Sequence, residues 1–423
     1  MEKKYILDDE ILYLETLTNG MKVFIQPKPK FIQTFASLYV DFGGRDFRYH
    51  RNNIEYNLPR GTAHFLEHLL FENNGDTLTK NFIEANADIN AFTARKVTSY
   101  YFSTKNQFYP LLLRLFDNFV DFSFSEKTIK KEGKIIAQEL SIDDDSESVK
   151  AYKSLLRLLY KDDSIYQDIG GTKATIKAID KTVLEQAIEH FYHPKNMTLL
   201  VTGNVDPVQL IETLNSHEFV KKTWPKYYPI ERFVDLTDKS VHYKRKIDKK
   251  LETNLVEIGI KIPEHLFKNR QMEHFLLLDP FLEMIFDPST KIYKTLQKKN
   301  LYNHSLTVTP MYDGDYSFIN ISIETKKSKQ FVKAMKELLL EIPVTDIPDK
   351  IFKAFHRAEI GRTIKSFDDV KETHNLLETL ILNNVDITEY FERKKNIKLE
   401  NFNDLKQVFT KNNIYLVEYV KQS

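Results

Sequence analysis

Residues 61–74 read GTAHFLEHLLFENN and contain the inverted motif H-x-x-E-H, formed by His64, Glu67 and His68. Thr62 is a suitable helix cap, and the apolar residues that follow have helical spacing, so the stretch is predicted to be an α-helix. Residues three and four apart on a helix share a face, so both imidazoles can reach one metal ion beside the Glu67 carboxylate. The motif therefore predicts two metal ligands and a general base on one helical face.

The third metal ligand is predicted in the segment KEGKIIAQEL, residues 131–140. Imidazoles and carboxylates suit zinc, whose catalytic sites commonly use three protein ligands and leave a fourth position for water. We choose Glu139 as the ligand. Glu132 lies close to two turns earlier, so the two carboxylates share a helix face. Taken alone, a glutamate in mid-helix is more often exposed to solvent, and the choice of Glu139 depends on wider matches.

Further segments extend the pattern along the first half of the chain. They are NAFTARKVTSYYF (90–102), DIGGT (168–172) and HPKNMTLLVTGNVD (193–206). In order and approximate spacing, the whole set resembles the pitrilysin-type zinc peptidases, or inverzincins, in the branch of mitochondrial processing peptidase and its bacterial relatives. The DIGGT and HPKN segments are interpreted as structural turns without a chemical role.

The resemblance implies a role for each polar residue of the motif. His64, His68 and Glu139 would bind one Zn²⁺ per chain, with Glu132 as a supporting catalytic acid. Zinc lowers the pKa of bound water from 15.7 to about 7, and Glu67 would take the proton of that water and return it to the leaving amine. The reaction that this set implies is hydrolysis of a peptide bond.

The resemblance also implies a substrate-binding strand. Asn90 and Ala91 occupy the place of the family's edge strand, which holds an extended peptide by main-chain pairing. Without the resemblance, NAFTA is a short β-prone segment after a turn.

One departure from the family concerns the second half of the chain. Relatives with a complete site carry an arginine and a tyrosine, seven residues apart, after a helix similar to IYKTLQKKNLYNHS, residues 292–305. The nearest positions here are Gln297 and either Tyr302 or Asn303, so the pair is incomplete. In paired relatives, a sister subunit without zinc ligands supplies the pair. The resemblance therefore implies a heterodimer with such a paralogous subunit, with a homodimer as the alternative.

The second half of the chain repeats the order of patterns in the first half. FSTKNQFYPLLLRLFDNF (102–119) is similar to IETKKSKQFVKAMKELLL (323–340), and HFYHPKNMTLLVTGN (190–204) is similar to QVFTKNNIYLVEYVK (407–421). Such self-similarity predicts two copies of one structural unit, in which helices at 348–366 and 402–411 of the second half repeat helices of the first half. When the matching segments are aligned, Phe355 takes the position of Glu132 and Arg362 takes the position of Glu139. No zinc site is therefore expected in the second copy.

The predicted organisation is a zinc-bearing N-terminal domain at 1–222, a linker at 223–238 and a homologous C-terminal domain at 239–423. The linker contains prolines and lacks clean periodicity. We expect an α+β fold of two similar α/β units, each a mixed β-sheet with helices packed on it. By the resemblance, the two units form half of a clam-like peptidase shell.

Composition excludes several classes of function. The 423 residues are 42% hydrophobic and 29% charged, which excludes wholesale disorder. The net charge of +1 provides no global field for nucleic acid, and the absence of cysteine excludes a thiolate nucleophile. The N-terminus lacks the apolar core of a signal peptide, and no run of apolar residues is long enough to span a membrane. We expect a cytoplasmic protein.

The expected function is a zinc-dependent endopeptidase that acts on short or unfolded peptides, including leader or precursor peptides, because an enclosed chamber excludes folded chains. The rival hypothesis is a noncatalytic scaffold or core subunit that keeps the fold. Scaffold relatives typically lose motif residues, and this chain retains His64, Glu67, His68 and Glu139. That retention favours the enzyme.

Overall fold

The computed structural model describes residues 1–7, 9–72, 75–143, 146–161, 163–233, 241–267, 270–342, 347 and 349–422. By contact, the chain divides into two compact units. Unit 1 comprises Met1–Ile142, Gln167–Phe233 and Ile364–Leu382, and unit 2 comprises Asp143–Tyr166, Val234–Thr363 and Asn383–Ser423. The predicted boundaries of the N-terminal domain, linker and C-terminal domain stay a prediction, and residues 234–240 lie outside the described residues.

Strands and helices are interspersed along the chain, which begins with six strands. The strands are β1 (Glu2–Leu7), β2 (Glu10–Thr16), β3 (Lys22–Pro27), β4 (Thr34–Val40), β5 (Arg48–Arg51), β6 (Ile54–Asn57), β7 (Asp88–Thr93), β8 (Thr98–Thr104), β9 (Met197–Gly203), β10 (Ile230–Arg232), β11 (Tyr243–Asp248), β12 (Asn254–Lys261), β13 (Thr307–Tyr312), β14 (Ser317–Thr325) and β15 (Ile414–Lys421). The α-helices are α1 (Thr62–Glu72), α2 (Gly75–Glu84), α3 (Phe108–Asp117), α4 (Glu126–Asp143), α5 (Glu147–Leu159), α6 (Asp163–Tyr166), α7 (Lys173–Lys177), α8 (Lys181–Phe191), α9 (Pro207–Ser216), α10 (Glu218–Lys221), α11 (Arg270–Glu273), α12 (Asp279–Phe286), α13 (Lys291–Lys298), α14 (Ser328–Leu340), α15 (Asp349–Ser366), α16 (Val370–Leu382) and α17 (Ile387–Lys395).

The main sheet of unit 1 has, within the described residues, seven strands in the order β1-β2-β3-β9-β4-β8-β7. β3 and β9 are parallel, and the other neighbours are antiparallel. The apolar side of α1 packs into the core of this unit through Phe65, Leu66 and Leu69. The strand β7 lies at one edge of the sheet and contacts α1. A smaller sheet, in the order β10-β5-β6, completes the strands of unit 1.

Unit 2 repeats the pairing pattern of the unit 1 sheet. Its described strands lie in the order β11-β15-β12-β14-β13, and only the β11–β15 pair is parallel. The order and direction equal those of β3-β9-β4-β8-β7. This correspondence confirms the predicted mixed α/β fold with two similar units.

The two units exchange equivalent helices of 13 residues each. In unit 2, α5 packs on β12 and β15, and a Cβ on Gly259 would lie 2.9 Å from Leu159 Cδ1, so glycine permits this close approach. In unit 1, α16 packs on β4 and β9. There the buried His374 contacts the hydroxyls of Ser37 at 2.7 Å and Thr202 at 3.0 Å. Burial lowers the pKa of His374 to about 3, so this ring is neutral at physiological pH.

The predicted helices agree with the structure within a few residues, and one of them is a 3-10 helix. The predicted helix at 62–72 coincides with α1, and the predicted helix at 348–366 coincides with α15. The predicted helix at 402–411 is observed as the 3-10 helix Leu399–Val408. Its sequence ENFND is rich in residues that bond the backbone locally, and Asn401 Oδ1 accepts from the Lys398 amide at 2.8 Å. No described helix has the length and apolar composition needed to span a membrane.

Candidate active site

Helix α1 holds His64, Glu67 and His68 at the surface of the unit 1 core. Gly61, just before the helix, has φ +91° and approaches the DIGGT loop so closely that a Cβ would lie 2.4 Å from the Gly170 carbonyl oxygen. Only glycine fits this contact, which fixes where the helix begins. The imidazole rings of His64 and His68 lie with centroids 4.6 Å apart at 78°. The structure thus places both predicted histidine ligands on one face, as their spacing requires.

Helix α4 brings the two predicted glutamates to His68. Glu139 Oε2 lies 3.5 Å from His68 Nε2, and Glu132 Oε2 lies 3.5 Å from His68 Nδ1. The ligand atoms of His64, His68 and Glu139 all lie within 4.8 Å of one another. The three predicted ligands therefore converge although Glu139 is far from the motif in sequence.

The electrostatics of His64 favour a neutral ring. Burial, followed by the neighbouring His68, lowers the pKa of His64 to about 4, and Asp168 opposes this shift. Its Nδ1 is buried and has no hydrogen-bond partner among the residues that the structure describes. At neutral pH the His64 ring therefore offers an uncharged nitrogen, the form that binds a metal ion.

Glu132 is the most buried acid of the site, at 1% exposure. Neither of its carboxylate oxygens has a hydrogen-bond partner in the described part of the chain, although Lys131 Nζ lies 3.4 Å from Oε1. A buried carboxylate is costly unless a cation or donors compensate it. A divalent cation on His68 Nε2 would leave the ring proton on Nδ1, which faces Glu132. The surroundings of Glu132 therefore fit a metal with nitrogen and oxygen ligands.

Glu67 shares the ligand face but has a different partner. The Thr93 hydroxyl donates to Glu67 Oε2 at 2.8 Å. Burial raises the pKa of Glu67 above its ordinary value, while the Thr93 bond and His68 oppose the rise. A partly buried carboxylate of raised pKa is suited to accept and return a proton.

The predicted substrate-binding residues lie on the edge strand β7. Asn90 pairs with Tyr101 and Ala91 with Tyr100 of β8, and the other side of β7 has no partner strand among the described residues. Asn90 Oδ1 accepts the Ala91 amide at 2.8 Å. The edge of β7 thus has a backbone amide, that of Ala91, which the Asn90 side chain covers and which an added strand could use.

Sequence reasoning missed Thr93, which is three residues beyond Asn90. The signal was present, because alternate residues of a strand share a face. Ala91 and Thr93 form the half-buried face of β7, whereas Asn90 and Phe92 are exposed. A hydroxyl on the inner face of a strand beside the motif helix is a candidate partner for the motif.

The positions that correspond to the absent Arg/Tyr pair lie in unit 2. Gln297 is exposed near the end of α13. Tyr302 is 40% exposed and its ring lies 4.6 Å from that of Tyr293. The Asn303 side chain donates to the Glu324 carbonyl at 2.8 Å, so it ties the segment after α13 to β14.

Comparison with known proteins places the chain in a family. Residues 36–173 match the family model described as "Insulinase (Peptidase family M16)", and residues 178–356 match "Peptidase M16 inactive domain". The "Uncharacterized zinc protease YmfH" of Bacillus subtilis (strain 168) is 30% identical over 365 residues, which are 85% of this chain and 84% of that protein.

Two further similarities agree in fold and sequence. "Mitochondrial-processing peptidase subunit beta" of Lentinula edodes is 26% identical over 209 residues, which are 48% of this chain and 43% of that protein. The crystal structure of an M16-like peptidase from Alicyclobacillus acidocaldarius superposes with a TM-score of 0.89 at 21% identity, covering 99% of this chain and all of that one (100%). The latter similarity establishes the fold alone. The predicted resemblance is confirmed: the chain belongs to peptidase family M16, the pitrilysin family.

Proposed function

We propose that this protein is a zinc-dependent endopeptidase subunit that hydrolyses short or unfolded peptides. The observation that carries the proposal is the convergence of His64, His68 and Glu139, whose ligand atoms lie within 4.8 Å of one another, beside the carboxylate of Glu67. The name "zinc protease" of the relative from Bacillus subtilis supports zinc as the metal.

His64, His68 and Glu139 would hold one Zn²⁺ per chain, which is the ligand number of many catalytic zinc sites. When bound, zinc polarises the scissile carbonyl and lowers the pKa of a bound water to about 7. Glu132 Oε2 lies 3.5 Å from His68 Nδ1, so it would accept a hydrogen bond from Nδ1–H and hold the tautomer in which Nε2 is free to bind the metal. Glu132 therefore acts through His68 and not on the substrate.

Glu67 performs the proton transfers. It accepts a proton from the attacking water and donates it to the leaving nitrogen. Burial raises the pKa of Glu67, which makes its carboxylate a stronger base than an exposed glutamate. The raised pKa serves both halves of the transfer.

The edge strand β7 would bind the substrate as an added strand. The Asn90 side chain leaves the Ala91 amide, which then pairs with a carbonyl of the peptide. Main-chain pairing selects for an extended conformation and not for one sequence. This binding mode suits unfolded peptides within an enclosed chamber, such as leader or precursor peptides.

The proposed partner is a paralogous subunit that lacks zinc ligands and supplies an arginine and a tyrosine. Support comes from Gln297, which occupies the position nearest to that of the family's arginine. The relative from Lentinula edodes, which is named as a subunit, also supports a partner. A second copy of this chain is the alternative partner. We also propose a cytoplasmic location for the complex.

A noncatalytic scaffold remains the alternative function, favoured by one observation. Residues 178–356 match a family model whose description contains the word "inactive". That segment does not include His64, Glu67, His68 or Glu139, so the match leaves the proposed site untouched.

The test compares peptide hydrolysis and zinc content in the wild type, in Glu67→Gln and in His304→Ala, a substitution of an exposed histidine. Hydrolysis is measured with unfolded peptides, with and without candidate sister subunits. Glu67→Gln should retain zinc and lose turnover by at least about a hundredfold, the usual contribution of a general base. His304→Ala should behave as the wild type. An active Glu67→Gln protein, or a wild type that holds zinc and cleaves no peptide with any partner, would refute the proposal.

A further inference from the structure

The carboxylate of Glu67 is held from outside its own helix by Thr93. The Thr93 hydroxyl donates to Oε2 at 2.8 Å, the usual distance of a well-formed O–H···O hydrogen bond. A hydroxyl that bonds an ionised carboxylate gives a charge-assisted bond, which is stronger than a bond between neutral groups. The second oxygen, Oε1, is left for the water that Glu67 must deprotonate.

The strand β7 explains why the Thr93 hydroxyl is directed at Glu67. Thr93 is the last residue of β7, and it pairs with Thr98 of β8. It belongs to the half-buried face of the strand, and β7 contacts α1. Threonine is branched at Cβ and has few χ1 rotamers, so the strand fixes the hydroxyl more firmly than a long side chain could.

Glu67 itself needs such a restraint. A glutamate side chain has three rotatable bonds, and fixing them costs entropy that a hydrogen bond can offset. Among the described residues, Thr93 donates the hydrogen bond that the Glu67 side chain accepts. A general base must lie within hydrogen-bond reach of the proton it removes, so its orientation affects the rate directly.

We propose that Thr93 is a positioning residue for the general base Glu67. The inference rests on the proposed peptidase function and deepens it. It assigns two tasks to one element, because β7 carries both the main-chain edge at Asn90 and Ala91 and the hydroxyl that orients Glu67. The substrate-binding strand and the base are thereby held in register with each other.

The experiment uses three substitutions in the full chain, assayed with its partner if one is required. Thr93→Val keeps the size and the branch at Cβ and removes the hydroxyl, whereas Thr93→Ser keeps the hydroxyl. Thr98→Val is the matched control, since it removes the hydroxyl of the residue paired with Thr93, which donates to the Phe42 carbonyl at 2.8 Å and not to Glu67. Each protein is measured for kcat, KM, zinc content and melting temperature.

Thr93→Val should lower kcat about tenfold to a hundredfold, the range typical of a misplaced reacting group, with KM and zinc content within about twofold of the wild type. Thr93→Ser should retain kcat within about threefold. Thr98→Val should lower the melting temperature and keep kcat.

A double-mutant cycle separates positioning from packing. In a Glu67→Ala background, Thr93→Val should have no further effect on the residual rate, because the group it positions is absent. Wild-type kcat in Thr93→Val would overturn the inference, as would equal losses in Thr93→Ser and Thr93→Val or an undiminished effect in the Glu67→Ala background. If the wild type cleaves peptides and Thr93→Val cleaves them equally, this inference fails and the proposed function stands; if the wild type cleaves none, both fail.

Discussion

Helices α4 and α15 are equivalent elements of the two units, and each has 18 residues. In α4, Glu132 and Glu139 both approach His68 at 3.5 Å. At the matching positions, α15 carries Phe355 and Arg362. The comparison teaches that the repeated unit provides a scaffold and that a few substituted side chains decide whether it holds a metal.

The charged residues around α15 also differ from those around α4. Arg362 forms ion pairs with Glu359 of its own helix and with Glu283 at 2.8 Å, and Lys394 lies 3.2 Å from Glu359. The charges near α15 therefore compensate one another. Among the described residues of unit 2, no cluster could hold a metal ion. In unit 1, by contrast, the buried carboxylate of Glu132 has no hydrogen-bond partner among the described residues.

The largest effect is expected for His68, which stands between the two glutamates of α4. His68→Ala should lose zinc binding and, with it, detectable peptide hydrolysis, because one of three protein ligands is removed. Zinc titration and a peptidase assay provide the measurement. Arg362→Ala, in the equivalent helix of unit 2, is the matched control and should leave zinc binding unchanged. Full zinc affinity in His68→Ala would break the comparison.

The second effect concerns catalysis by the chain alone. Loss of one oxyanion donor typically costs a hundredfold to a thousandfold in turnover, about 2.7–4 kcal/mol. Since Gln297 and Tyr302 do not supply the expected pair, the isolated chain should bind zinc and cleave peptides slowly. A paralogous subunit with an arginine and a tyrosine should restore the rate. Assays of the chain, the partner and their mixture decide this, and full activity of the chain alone would contradict it.

The third effect contrasts Glu132 with Glu257, a buried acid of unit 2. Glu257 accepts from the Ser322 hydroxyl at 2.8 Å, and burial raises its pKa to about 7 from an ordinary value of 4.5. Between these values the folded state keeps the proton and the unfolded state loses it. The contribution of Glu257 to the free energy of unfolding should therefore fall as the pH rises from about 4.5 to 7 and stay level above that, by at most about 3 kcal/mol.

Glu257→Gln tests this linkage by denaturant unfolding. Above pH 7 the substituted protein should be more stable than the wild type by about 1–3 kcal/mol, and the difference should vanish near pH 4.5. Glu324→Gln, at an exposed position of β14, is the control and should show no such pH dependence. Equal stability of wild type and Glu257→Gln at pH 8 would show that Glu257 is compensated in the folded state.

The smallest effect is expected when the α4 pattern is copied onto α15. Phe355→Glu with Arg362→Glu reproduces the spacing of the two glutamates, yet no H-x-x-E-H motif occurs in the second half of the chain. Zinc stoichiometry should stay at the wild-type value. A second equivalent of zinc in elemental analysis would show that α15 alone can define a site.

Local patterns predicted much of the fold. Apolar spacing and turn residues located α1 over Thr62–Glu72, and the similar segments at 102–119 and 323–340 predicted the repeat. The exchange of α5 and α16 was not predicted, because periodicity shows that a helix has an apolar face and does not show which sheet covers it. The buried contacts of His374 with Ser37 and Thr202 follow from that exchange and were missed with it.

The site was predicted less evenly than the fold. Helical geometry alone brings His64, Glu67 and His68 together, so their convergence follows from the sequence. The approach of Glu139 depends on tertiary packing of α4, and family resemblance supplied it. Thr93 was missed because its place on the same strand face as Ala91 does not by itself show which side chain its hydroxyl contacts.

The most direct test is the zinc content of the purified wild type compared with Glu139→Ala, both prepared without chelators. Glu139 is the ligand that distinguishes α4 from α15, and its carboxylate lies 3.5 Å from His68 Nε2. We expect about one zinc per wild-type chain and a large loss of zinc in Glu139→Ala, with peptide hydrolysis lost in parallel. A wild type without metal, or Glu139→Ala with full zinc and full activity, would contradict the account.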